Sequence, residues 1–222
     1  MASTRLIVFF TESDQEDESV TKMNEDIAVR WLTGNPHFRG MFLEDFFEPD
    51  TNVRDFMSLQ RPFTESGKHP GDIDLLLVDP LKPKFSIVFE CKRVKAVSFD
   101  NRSIVNSEEK IRRGVKQANS YRELGFHQTY LIVILLDDGR AMRMPNNMFN
   151  YGTGETINYI YSIPKQEPPH EDVGVICVKV NQPTGKHINL TGGLGFCIDK
   201  PARRLDQSHN VNTGIKMILD RP

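Results

Sequence analysis

Hydrophobic and polar positions alternate with two different periods along this chain, and the changes of period outline its elements. Arg5–Phe10 is an apolar run of strand length, followed by an acidic linker over Thr11–Glu18. Val20, Met23, Ile27, Val29, Trp31 and Leu32 recur at loosely helical spacing and predict a helix over Ser19–Leu32, which Gly34-Asn35-Pro36 stops. The aromatic-rich stretch Phe38–Gln60 predicts a strand near Met41–Phe47 and a short helix near Val53–Leu59. Arg61–Pro70 reads as a polar loop. Two apolar runs then predict strands over 73–78 and 85–92, separated by the turn-rich Asp79-Pro80-Leu81-Lys82-Pro83-Lys84. Further on, Ser107 is a helix cap, Glu108 and Glu109 suit the first turn, and Gly125 follows the end. The apolar stripe of that helix is Ile111, Val115, Ala118, Tyr121 and Leu124. Thr129–Leu136 is almost uninterruptedly apolar and fits a strand buried on both faces, closed by Asp137-Asp138-Gly139. Beyond it, Tyr159–Ile163 and Val173–Val180 read as strands, Pro164–Asp172 as a loop, and Asn189–Ile198 as a glycine-bent strand. There is no internal repeat.

Polar residues at the ends of the two central runs carry the candidate chemistry. Asp74 opens the first run, and Glu90-Cys91-Lys92 closes the second. Side chains alternate along a strand, so Glu90 and Lys92 point the same way. The short connection makes the strands antiparallel neighbours, which places the start of one beside the end of the other. Asp74, Glu90 and Lys92 therefore meet at one edge of a sheet, with Asp72 the alternative acid on the face of Asp74. Two carboxylates and an ammonium at one edge suit a hard divalent cation and a water molecule. The bland competitor is an exposed Glu90–Lys92 ion pair, which is worth little.

Asp74 followed by Glu90-x-Lys92 on the next strand resembles the PD-(D/E)XK nuclease superfamily. Gly71-x-x-Asp74 and Gln117-x-x-x-Tyr121 on the following helix resemble its RecB-like branch. The similarity covers roughly residues 19–136. It implies an α/β fold with a restriction-endonuclease-like core, a central mixed β-sheet flanked by helices in the order αβββαβ. Residues 1–140 would form that core with its N-terminal strand and helix. Residues 141–222 would form a β-rich C-terminal extension packed on it. The resemblance further implies a metal-dependent deoxyribonuclease. Asp74, Glu90 and the backbone carbonyl of Cys91 would hold Mg²⁺ or Mn²⁺. Lys92 would orient the attacking water or stabilise transition-state charge, and would act as a base only if its pKa were lowered. A carboxylate from the first helix, Glu25 with Asp26 adjacent, would join them, and Gln117 and Tyr121 would brace the site or touch DNA.

Charge distribution adds to this picture. The formal net charge is −2, but residues 1–60 carry 12 acids against 5 Lys/Arg, and residues 82–122 carry 11 Lys/Arg against 4 acids. The basic block spans Glu90-x-Lys92 and the Gln117 helix, as a phosphate backbone would require. Lys95, Arg112, Arg113 and Lys116 are its expected substrate contacts. The acidic first third suits a protein partner or a homodimer contact. No apolar run approaches a membrane span, and the apolar run at Leu6–Phe10 is too short for a secretion signal. Three scattered cysteines suit a reduced, cytoplasmic chain.

Other chemistries lack their signatures. There is no HExxH and no GxSxG, and Gly185-Lys186 is followed by His187 rather than Ser or Thr. Gly192-Gly193-Leu194-Gly195 suits a turn. The expected function is hydrolysis of DNA phosphodiester bonds. The alternatives are a non-catalytic nucleic-acid-binding module and a subunit of a larger DNA-processing or defence complex.

Overall fold

A computed structural model describes residues 4–11, 25–34, 36–59, 72–95, 101–137, 154–181 and 190–220. They form an α/β molecule around one seven-stranded mixed sheet in the order β1-β7-β6-β5-β4-β3-β2. The strands are β1 (Thr4–Thr11), β2 (Arg54–Leu59), β3 (Ile73–Val78), β4 (Ile87–Lys95), β5 (Gln128–Asp137), β6 (Gly174–Asn181) and β7 (Leu190–Lys200). The helices are α1 (Glu25–Gly34), α2 (Pro36–Glu44), α3 (Asn101–Leu124), α4 (Gly154–Gln166) and α5 (His209–Leu219). β2, β3 and β4 form an antiparallel meander, β4, β5 and β6 are parallel, and β7 and β1 complete the sheet antiparallel.

The sheet separates two apolar cores. On one face, Ala28, Val29 and Leu32 of α1 and Phe38 and Phe42 of α2 pack on Leu75, Leu77, Phe89, Cys91, Ile132 and Ile134. On the other, Ile111, Val115 and Ala118 of α3 meet Val94, Leu131, Val133 and Leu135, joined by Ile160 and Ile163 of α4. Val211, Ile215 and Ile218 of α5 close this second face over Leu76, Val88 and Tyr121. Alternate residues of β4 and β5 serve opposite cores, as a strand covered on both faces demands. β6 and β7, from the C-terminal part of the chain, belong to the same sheet as β2–β5.

The structure corrects several element boundaries. Met41–Phe47 is not a strand: Phe38 and Phe42 lie one helical turn apart on α2 and stack at 5.1 Å between ring centroids, and Pro36 sits at the first position of that helix. Arg54–Leu59 is a strand rather than a helix, because pairing with β3 overrides local preference. Tyr159–Ile163 lies inside α4, where Ile160 and Ile163 share one face at helical spacing. That helix also takes in Pro164–Gln166 from the expected loop. Ser107 is not a cap, since α3 begins at Asn101. Its far end behaves as expected. Gly125 takes φ 86°, where a Cβ would stand 2.7 Å from the Cβ of Ser208. Ser208 in turn caps α5 and donates its hydroxyl to the Leu124 carbonyl at 2.7 Å, tying α5 to the end of α3. The expected first helix is described only from Glu25, and the 61–70 loop and the 138–139 turn lie outside the described residues.

Candidate active site

The β3–β4 ladder runs through Leu77↔Ile87, Leu76↔Val88 and Leu75↔Phe89, while β4 continues to Lys95 against β5. Beyond Phe89 the edge of β4 that faced β3 has backbone donors without strand partners, and buried donors need acceptors. Two carboxylates supply them. Asp74 Oδ2 accepts from the Cys91 N–H at 2.7 Å, and Glu25 Oε2 accepts from the Arg93 N–H at 3.0 Å. In an extended strand the N–H and C=O of one residue leave on the same side, so the Cys91 carbonyl faces the same gap.

Lys92 stands in the middle of this group. Its Nζ lies 2.5 Å from Glu90 Oε1, 3.2 Å from Glu25 Oε1 and 4.0 Å from Asp74 Oδ2. The Lys92 side chain is only 11% exposed and that of Glu90 0%, so this is no surface ion pair. The 2.5 Å contact is off the line of a hydrogen bond, and neither Glu90 oxygen finds a well-aligned donor in the structure. Asp72 is exposed, so Asp74 is the acid that reaches the site.

The electrostatics follow from burial. Removal from water pushes the Glu90 pKa up to about 8, the Asp74 charge adds to that, and Lys92 opposes it. Burial likewise raises Asp74 to about 6 against the pull of Lys92 and the Cys91 N–H. Burial alone would lower the Lys92 pKa, but Glu90, Glu25 and Asp74 together outweigh it and raise it. Lys92 is therefore a fixed cation here rather than a general base.

Gln117 and Tyr121 lie on successive turns of α3. Tyr121 is fully buried in the core with Leu76 and Val88, and its hydroxyl donates to the Asp72 carbonyl at 2.6 Å. Its one proton is spent there, so although the hydroxyl stands near Glu90 it does not serve that carboxylate as a donor at the same time. Tyr121 thus braces the start of β3, the segment that presents Asp74. Gln117 is half-buried.

The expected substrate contacts separate. Arg113 and Lys116 are exposed on α3. Arg112 is bound to Glu108 at 2.6 Å and to Glu167. Of Lys95 the structure describes only the backbone, at the end of β4.

Two neighbours of the site are not apparent from the motifs. Gly114 faces Lys92, and a Cβ there would lie 2.6 Å from Lys92 Cγ and 2.9 Å from Leu131 Cδ1. Its signal in the sequence is a glycine inside a strong helical pattern, which costs about 1 kcal/mol against alanine and implies close packing. Ser58 takes φ 50°, and the β2–β3 ladder passes from Met57↔Leu75 to Leu59↔Ile73, missing the pair that would contain Asp74. A non-glycine residue at positive φ marks a constrained backbone beside the site. No pattern in the sequence announces it.

No protein-family model matches the chain, and no curated protein sequence matches it as a relative.

Proposed function

We propose that this protein is a metal-dependent nuclease that hydrolyses phosphodiester bonds in DNA, with a core of the restriction-endonuclease-like type. The observation that carries the reading is the convergence of Glu25, Asp74 and Glu90 on Lys92 where β3 and β4 part. The order of α1, the β2–β3–β4 meander, α3 and parallel β5 supports the core assignment, with α2 as an addition.

The donor set fits a hard divalent cation. Three carboxylates surround a single ammonium, and both oxygens of the buried Glu90 lack aligned donors. Oxygen ligands of this kind suit Mg²⁺ or Mn²⁺. As they stand around Lys92, no three acidic, histidine or cysteine groups among the described residues are grouped to hold an ion. Loading therefore requires the carboxylates to re-aim from Lys92. Asp74, Glu90 and the Cys91 carbonyl would hold the ion, which would supply Lewis acidity toward the phosphate and the attacking water. The chain's own residues do the rest. Lys92, held charged, stabilises negative charge developing on the phosphoryl oxygens and orients the nucleophile. Glu25 anchors both the Lys92 ammonium and the Arg93 backbone, and Tyr121 fixes the approach of β3.

A second reading, a nucleic-acid-binding module that does not cut, draws on the saturation of Lys92 by carboxylates. Calorimetric titration with Mn²⁺ separates the two. The wild type is expected to bind and to gain thermal stability with metal concentration. Asp74→Asn should bind at least about tenfold more weakly, as removal of one charged ligand implies. A wild type with neither heat of binding nor a thermal shift at millimolar Mn²⁺ would remove the basis for the nuclease.

A further inference from the structure

The three cysteines are scattered along the chain, but the fold brings two of them together. Cys177 on β6 and Cys197 on β7 are direct partners in the antiparallel register. Ile176 and Val178, on either side of Cys177, lie in the core under α1 and α2, as Phe196 does, and Ile198 packs against that core. Side chains alternate along a strand, so both thiols face the other side of the sheet, the side covered by α3 and α4. Lys165 of α4 stands beside them. Its Nζ is 2.8 Å from Oδ1 of Asp199, two residues beyond Cys197 on the same face, and its ammonium feels both cysteines. Cys91, the third cysteine, is buried under α1 and α2 on the opposite face.

Directly opposed residues of antiparallel strands have Cα atoms about 4.5 Å apart in a non-hydrogen-bonded pair and about 5.5 Å apart in a hydrogen-bonded one. A disulfide spans Cα separations of about 4.4–6.8 Å, so a pair of either kind can be bridged. The Cβ atoms need to approach by about an ångström. Both thiols are free. Among the described residues no third cysteine, histidine or acid is grouped with them to hold a metal ion, which leaves thiol–disulfide chemistry. Lys92, Val133, Cys177 and Cys197 occupy one row across β4, β5, β6 and β7. The pair therefore begins two strands, about 9.5 Å, from Lys92 on the same face of the sheet.

We propose that Cys177 and Cys197 are a redox modification site, which a low-molecular-weight disulfide converts reversibly into a cross-strand disulfide between β6 and β7. Cys197, half-buried, meets the reagent first. Its thiolate attacks one sulfur of R–S–S–R, forms a mixed disulfide and expels RS⁻, which takes up the proton that Cys197 released. Cys177 then releases its proton and attacks the Cys197 sulfur, and the second RS⁻ leaves and takes that proton. Two protein thiols are oxidised and one R–S–S–R is reduced to two RSH. Burial, aided by the Asp199 charge, pushes the Cys177 thiol up to about 12 against the pull of Lys165, which unsuits it for the first attack. As the resolving thiol it faces its target across one strand spacing. Positioning of that kind reaches effective molarities of about 10⁵ M, which offsets a low thiolate fraction. In a reducing compartment such a pair is a transient, oxidation-dependent link rather than a permanent one. The site stands apart from the carboxylate group and does not depend on the nuclease reading.

The test is oxidation of the folded protein in a graded series of oxidised to reduced glutathione. The remaining thiols are alkylated under denaturing conditions, and intact mass and peptide mapping give the products. The wild type is expected to lose two hydrogens, to yield a linked pair of peptides containing Cys177 and Cys197, and to leave Cys91 as the one alkylated thiol. Dithiothreitol should restore all three thiols. Cys177→Ser should stop with one glutathione on Cys197. Cys197→Ser, left with two buried thiols, should react at least about tenfold more slowly than the wild type. The wild-type result stands on its own, whether or not the variants fold. A folded wild type that keeps three thiols throughout the series would overturn the site. So would one that carries glutathione on Cys197 without closing the link, or one whose disulfide includes Cys91.

Discussion

Lys92→Met is expected to destabilise the metal-free protein by about 3–5 kcal/mol near pH 8, the cost of removing one partner from a buried ionic group. Near pH 5 the loss should be much smaller. Glu90 and Asp74 have folded-state pKa values raised to about 8 and about 6. The folded protein thus binds more protons than the unfolded chain between about pH 4 and pH 8, and metal-free stability falls as pH rises through that window. Lys92 has the opposite linkage. Its raised pKa contributes stability that is fully present below the unfolded value, near 10.5, and is lost only as pH climbs through the higher folded value. Without Lys92 the two acids lose the strongest influence that opposes their desolvation. Their pKa values rise further, and the decline of stability extends to higher pH. Denaturant unfolding of both proteins in a chelator, across this pH range, measures the effect. Equal penalties near pH 5 and pH 8 would show that the lysine acts through packing alone.

Gly114→Ala is expected to cut any metal-dependent activity by about a hundredfold, with a modest change in fold stability. The added methyl would enter the stem of Lys92 at 2.6 Å and Leu131 at 2.9 Å, and neither can give way within a packed core. Overpacking of this kind costs about 1–3 kcal/mol, partly offset by alanine's helix preference of about 1 kcal/mol. Displacement of a catalytic group by about an ångström costs roughly a hundredfold in rate. The loss should fall on kcat rather than KM, since Lys92 acts on charge that develops only in the transition state. Gly40→Ala on the solvent side of α2, where a Cβ meets nothing within 4 Å, should instead stabilise by about 0.5–1 kcal/mol and leave activity unchanged. Equal kcat in Gly114→Ala and the wild type would mean that Lys92 is not held by its packing against α3.

The sheet edge is legible in the sequence because its logic is local. Strand alternation and a short antiparallel connection suffice to put Asp74, Glu90 and Lys92 on one face, and the distances in the structure follow from that register. Burial is less legible. An acid and a lysine two residues apart on a strand look the same in sequence whether they lie on the surface or beneath a helix. What buries Glu90 and Lys92 is α3, whose glycine at 114 lets it approach β4. The aromatic-rich 38–60 segment misleads because Phe38 and Phe42 fit a helix only once the sheet face they cover is known. β2, in turn, is a strand through its partner β3 rather than its own composition.

Cleavage of DNA is the most direct test of this edge of the sheet. Linear, circular and single-stranded DNA, incubated with Mg²⁺ or Mn²⁺, should be cleaved by the wild type, and Asp74→Ala and Lys92→Ala should abolish cleavage while still folding at mildly acidic pH. No cleavage of any substrate by the wild type, or full activity in either variant, would contradict its assignment as a nuclease centre.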